Sequence, residues 1–146
     1  PVMSSAASDV YKRQASNPDK WVVLPEIISK EPLGPLVRHG DHQWGDVVRW
    51  SLNAMIIAEE LGITSENVDA QMSSNVPEVL RLLGVEGNYG EMLELSNDWA
   101  YQIIKQIGNY SESYEANVGP DTPLEIARGL NALWTQGGIL YAPPFR

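Results

Sequence analysis

Cysteine is absent from the 146-residue chain, which excludes disulfides, thiolate chemistry and Cys-ligated metals. Basic residues are scarce, ten against nineteen acidic ones, for a net charge of −9. That balance argues against nucleic-acid binding, because gripping phosphates needs a basic face. Long apolar runs are missing as well. Charges interrupt each one well short of the roughly 20 residues that a membrane span requires. The opening stretch PVMSSAASDVYKRQ, residues 1–14, has neither the apolar core nor the cleavage pattern of a signal peptide. It lacks periodicity and joins badly to the Ala15–Lys20 loop, so it reads as a flexible leader or a non-native junction, with a longer protein cut here. No internal repeat of useful length occurs; GNY at Gly87 and Gly108 is coincidence.

What is present suffices for one ordinary domain. Hydrophobic residues make up 43% of the chain, with five Trp and six Tyr, enough for a core. The organising stretch is Asp41 to Glu60, DHQWGDVVRWSLNAMIIAEE. Trp44, Val47, Val48, Leu52, Met55 and Ala58 recur at three- and four-residue steps, which predicts one buried helical face. Asp41 is placed to cap its start, and Gly62 to end it in the left-handed conformation.

Before this helix, WVVLPEIIS (Trp21 to Ser29) reads as a strand, broken or edge-placed at Pro25. EPLGP then reads as a crossing between packing units, followed by a brief strand from Pro35 to Arg38. After the helix, Thr64 and Ser65 offer a start for a short helix to about Met72, and Pro77 opens another that stops at Gly84. GVEGNYG is a glycine-rich loop leading to an apolar turn, Met92 to Leu95. Ser96 is read as the cap of a helix that buries Trp99, Ile103 and Ile107 with Ala100 and Ile104. A short helix comes next, from Ser111 to Asn117. Thr122-Pro123-Leu124-Glu125 matches a capping box and predicts one more. The tail ILYAPPFR is extended. Two strands cannot form an independent sheet, so partner strands lie elsewhere.

Chemistry is thin. His39, Asp41 and His42 could in principle hold zinc or iron, but their spacing matches no metal signature and a solvated role outweighs it. Glu59-Glu60 and Asp121/Glu125 are acidic pairs without a sign of split titration. GVEGNYG lacks the Lys-Ser/Thr of a phosphate cradle. Asn109-Tyr110-Ser111 fits the glycosylation pattern, relevant only in a eukaryotic secretory route. Trp44 and Trp99 sit at helical spacing and read as core. No catalytic site, metal or cofactor emerges.

Several collinear runs do resemble a family. VVLPEIISKEPLGPLVRHGDHQW, AEELGITSENVD, RLLGVEGNYGEML, NDWAYQIIKQIGNY and GLNALWTQGGILYAPPFR look like the C-terminal part of bacterial general L-amino-acid-binding proteins, periplasmic receptors of ABC importers. The resemblance implies an α/β type II periplasmic-binding fold, in which two lobes close on a ligand about crossing strands. It makes residues 15–30 the end of the second lobe, and 31–146 the crossing plus the C-terminal helical part of the first lobe. Lys30, Glu31, Pro32, Leu33, Gly34 and Pro35 become the hinge. It implies an L-amino-acid ligand, an ABC permease partner, a periplasmic location and a monomer at full length. The arginine and aspartate that grip the amino acid in this family match no position here, so no ligand-binding residue is assigned. An enzyme of the same two-lobed fold, dehydratase-like, is the alternative, and nothing in the segment supplies its acid or base. A stand-alone helical interaction module is the third reading.

Overall fold

The computed structural model describes Ser16, Asn17, Lys20 and residues 34–145. The strand expected over Trp21 to Ser29 and the hinge residues Lys30 to Leu33 lie outside the described residues. The chain divides into two compact units. Their elements are α1 (His42–Glu60), α2 (Val68–Gln71), α3 (Pro77–Leu82), α4 (Tyr89–Met92), α5 (Trp99–Ile107) and α6 (Tyr110–Asn117), then 3-10 turns at Gly129–Asn131 and Trp134–Gln136.

The larger unit comprises Pro35–Ser113 and Tyr141–Arg146. Asp41 caps α1 as its sequence predicts, its Oδ1 accepting from the Trp44 N–H at 3.1 Å. At the other end Gly62 takes a φ of +67°, and the Ile63 N–H reaches back to the Ala58 carbonyl at 2.8 Å. That wraps the last carbonyls in the usual left-handed stop.

The buried face of α1 differs from expectation. Ala54, Ile56, Ile57 and Ala58 are buried, whereas Trp44 is 55% exposed and Leu52 is exposed. Of the expected face, Ala58 is buried and Val47, Val48 and Met55 are half-buried. Near the C-terminal end Ile56, Ile57 and Ala58 are buried in succession, so burial there wraps more than one stripe of the helix, each residue advancing roughly 100°. The reason lies in its neighbours. α5 packs on α1 and α2, and Ala54, Ala58 and Ala100 are all fully buried. Small side chains let helices approach closely; Ala58 and Ala100 lie on the expected faces and are buried, and Ala54 joins them.

Helix α5 buries Trp99, Ala100 and Ile104, and leaves Ile107 exposed at its end. It starts three residues after Ser96, behind a turn in which the Ser96 carbonyl accepts from the Trp99 N–H. The expected strand at Pro35 to Arg38 is irregular chain, with Leu36 98% exposed. Among the described residues it has no strand to pair with, and an unpaired strand gains nothing from extension.

The second unit comprises Pro1–Gly34 and Tyr114–Leu140. Here the predicted helix at Thr122 to Glu125 does not form. The Thr122 hydroxyl accepts from the Leu124 N–H at 3.2 Å, a local turn that competes with capping. Glu125 then takes a φ of +52°, which no right-handed helix tolerates. The Tyr114 hydroxyl donates to the Ala127 carbonyl at 3.1 Å, and the Arg128 guanidinium lies 5.3 Å from the Tyr114 ring centre. An isolated parallel bridge joins Leu133 to Leu140. Gly138 sits so close to the Ala132 carbonyl that a Cβ would lie 1.8 Å from its oxygen, so only glycine fits there.

Candidate functional site

Of the six predicted hinge residues, Gly34 and Pro35 are described. Both are exposed, and a Cβ on Gly34 would meet nothing within 4 Å. The chain passes from one compact unit to the other between them. It passes again at Ser113/Tyr114, inside α6, and at Leu140/Tyr141. Proline fixes one backbone angle and removes a donor, and it biases the glycine before it toward extended backbone.

His39, Asp41 and His42 all line a surface depression of about 460 Å³, with Val37, Asp46 and Arg49 among its other walls. Its carboxylates are engaged. Asp41 caps α1, and Asp46 pairs with Arg49 at 3.2 Å. Among the described residues, no three His, Cys, Asp or Glu groups are placed to hold a metal ion. Asp121 and Glu125 are both exposed, and Glu60 is exposed beside a half-buried Glu59.

The GVEGNYG segment forms a closed loop. A Cβ on Gly84 (φ +74°) would lie 1.9 Å from the Asn97 carbonyl oxygen, and one on Gly90 would lie 2.2 Å from that of Ser96. The Gly90 N–H donates to Asn97 Oδ1 at 3.1 Å. Backbone therefore lies directly on backbone at the loop's base. The loop cannot work as a phosphate cradle at a helix end, because the helix it opens has only four residues.

Two polar clusters go beyond what the sequence pattern predicts. In the first, the Tyr101 hydroxyl donates to Asp69 Oδ1 at 2.9 Å and Lys105 Nζ to Asp69 Oδ2 at 2.6 Å. The Lys105 hydrogen bond, then that of Tyr101, lowers the Asp69 pKa below its usual 3.8. The Asp69 carboxylate in turn raises Lys105 and Tyr101 above their ordinary values. These partners lie 32 and 36 residues apart, and no local pattern announces such a pairing.

The second cluster carries a local signal that the sequence reading missed. Asn109 Oδ1 accepts from the Glu112 N–H at 3.0 Å, while Glu112 Oε2 accepts from the Asn109 N–H at 2.8 Å. This is a reciprocal capping box at the start of α6, spelled Asn-x-x-Glu in the sequence. Glu112 also accepts from the Ser65 hydroxyl at 2.6 Å, and Asn109 Nδ2 donates to the Ile63 carbonyl at 2.8 Å. Asn109 is 4% exposed, so the glycosylation pattern there is not an acceptor in the folded chain.

The third feature is aromatic. Phe145 stands 5.0 Å from Trp50, 5.6 Å from Tyr89 and 6.0 Å from Trp99, measured between ring centres. It is 9% exposed and fastens the tail to the larger unit. Trp99 is core, as its spacing predicts, and Trp44 is not. The described ion pairs, Asp46–Arg49 and Asp69–Lys105, are both exposed. Neither offers the buried cation and anion that a zwitterion needs.

No family model matches the chain. It is 59% identical over 154 residues to the glutamate/glutamine/aspartate/asparagine-binding protein of Rhodobacter capsulatus, covering 98% of this chain and 46% of the relative. It is 58% identical over 132 residues to the general L-amino acid-binding periplasmic protein of Rhizobium johnstonii, covering 89% of this chain and 39% of the relative. Among solved structures, it is similar to an ABC transporter/periplasmic binding protein from Brucella ovis with glutathione bound. That likeness has 50% identity and a TM-score of 0.87, over 95% of this chain and 44% of the other. The chain thus spans less than half the length of the relatives it matches. Over nearly its whole length the chain is similar to part of proteins named as amino-acid-binding or periplasmic binding proteins of ABC transporters.

Proposed function

We propose that this segment serves in a periplasmic receptor that captures L-amino acids and delivers them to an ABC permease. The supporting observation is the collinear likeness to receptors at 58% and 59% identity, together with the close structural match to a periplasmic binding protein. The relatives are named as binding proteins, which favours capture without chemistry. The ligands named for them share one chemical head. Glutathione begins with a γ-linked glutamyl group whose α-amino and α-carboxylate groups are free, as in glutamate and glutamine. The ligand class proposed is therefore an α-amino acid with a carboxylate or amide side chain, held by its zwitterionic head.

Lys30, Glu31, Pro32, Leu33, Gly34 and Pro35 are proposed as a hinge. The passage between compact units at Gly34/Pro35 supports this, because hinges are element-terminal residues that absorb backbone rotation. The groups that grip the ligand are expected outside this segment. The test is to read the coding DNA upstream of Pro1, express the longer protein, and titrate both proteins calorimetrically with glutamate, glutamine, aspartate, asparagine and glutathione. Saturable heat is expected from the longer protein alone. Binding by the 146-residue chain, or by neither protein, overturns the reading.

A further inference from the structure

We propose that Met92 is a site of reversible oxidation by neutral peroxides, and that its oxidation leaves the fold intact. Three methionines lie among the described residues: Met55, Met72 and Met92. Met55 and Met72 are half-buried, whereas Met92 is 69% exposed at the last residue of α4. The closed loop that carries it buries Leu93 and Gly90 instead. Backbone contacts at Gly84 and Gly90 hold the loop's base, so the thioether is presented to solvent by a braced turn and not by local opening.

In the reaction the sulfur lone pair attacks one peroxide oxygen, the O–O bond breaks, and an S–O bond forms. The sulfide loses two electrons to become a sulfoxide, and the other oxygen leaves as water once hydrogen peroxide's protons are redistributed. Glu91 and Glu94 lie on either side of Met92 in the sequence, and no basic residue lies between Arg81 and Lys105. This local excess of negative charge disfavours anionic oxidants relative to uncharged peroxide. A polar, chiral sulfoxide disrupts a core, but Met92 contributes nothing to one. The exposed sulfoxide also remains within reach of a reductase acting on the folded chain.

The test treats the 146-residue chain with hydrogen peroxide, follows each methionine by peptide mass mapping, and then adds methionine sulfoxide reductases. Met92 is expected to gain oxygen about tenfold faster than Met55 or Met72, with unchanged near-UV circular dichroism and full reversal by the reductases. Replacing Met92→Leu should remove the fast oxygen uptake of the peptide that carries position 92 while leaving the slow uptake at Met55 and Met72 in place. Equal rates at the three positions, or loss of tertiary signal on Met92 oxidation, overturns the proposal.

Discussion

At the scale of single residues, Asn109 does the most with the fewest atoms. Its side chain caps α6 through Oδ1 and holds the Ile63 carbonyl through Nδ2, while Glu112 accepts from its backbone N–H in return. Replacing it by alanine removes a cap worth about 1 kcal/mol and strands the Ile63 carbonyl. A buried acceptor left without a partner costs a further 1–3 kcal/mol or so. Asn109→Ala is therefore expected to destabilise the chain by about 2–4 kcal/mol, read from the urea midpoint. Asn109→Asp, which keeps the acceptor but not the second donor, should fall between wild type and the alanine variant. The capping residues Asp41, Pro77 and Gly62 were readable because each acts on its own neighbours in sequence. Asn109 carries the same kind of local signal, but Ser111 two residues later competes as a helix start and hides it.

At the scale of elements, the tie between α2 and α5 carries a pH signature. Asp69 titrates below its ordinary 3.8 in the folded chain, so its contribution to stability is present above that value. It is lost as the pH falls through the lowered folded value. Lys105 and Tyr101 are raised above 10.5 and 10.0, so their contributions are present below those values and fade as the pH climbs past them. The stability difference between wild type and Asp69→Ala should be level from about pH 5 to pH 9 and shrink at both extremes. Urea midpoints measured across that range check it, and a difference that grows toward either extreme would contradict the assignment. Sequence pattern could not have found this tie, because contacts more than thirty residues apart depend on how helices cross. The same blindness left Ala54, Ile56 and Ile57 out of the expected face of α1. Periodicity says that a face exists, whereas the partner's surface decides which one is buried.

At the scale of the whole molecule, the tail matters more than its extended spelling implied. Phe145 closes the larger unit against Trp50, Tyr89 and Trp99, although it lies more than 80 residues from the middle of α1. Truncating a buried phenylalanine costs about 3–5 kcal/mol, and aromatic pairing adds to its burial. Phe145→Ala should accordingly lower the denaturation midpoint and hasten amide exchange in α5. Unchanged protection there would mean that the tail merely rests on the surface. The fold class came through the resemblance rather than through periodicity, since a chain with one isolated bridge among its described residues gives little evidence of a sheet. A ligand site was not legible in the sequence, because the gripping residues that the resemblance implies match no position in this stretch.

The burial of Asn109 also bears on how the protein can be made. A eukaryotic secretory host attaches sugar to Asn-x-Ser while the nascent chain is still unfolded, before Ile63 has closed over that side chain. A glycan there could not be accommodated at a position with 4% exposure. Production is thus better entrusted to a bacterial host, or to a Ser111→Ala variant that abolishes the acceptor pattern and spares the cap.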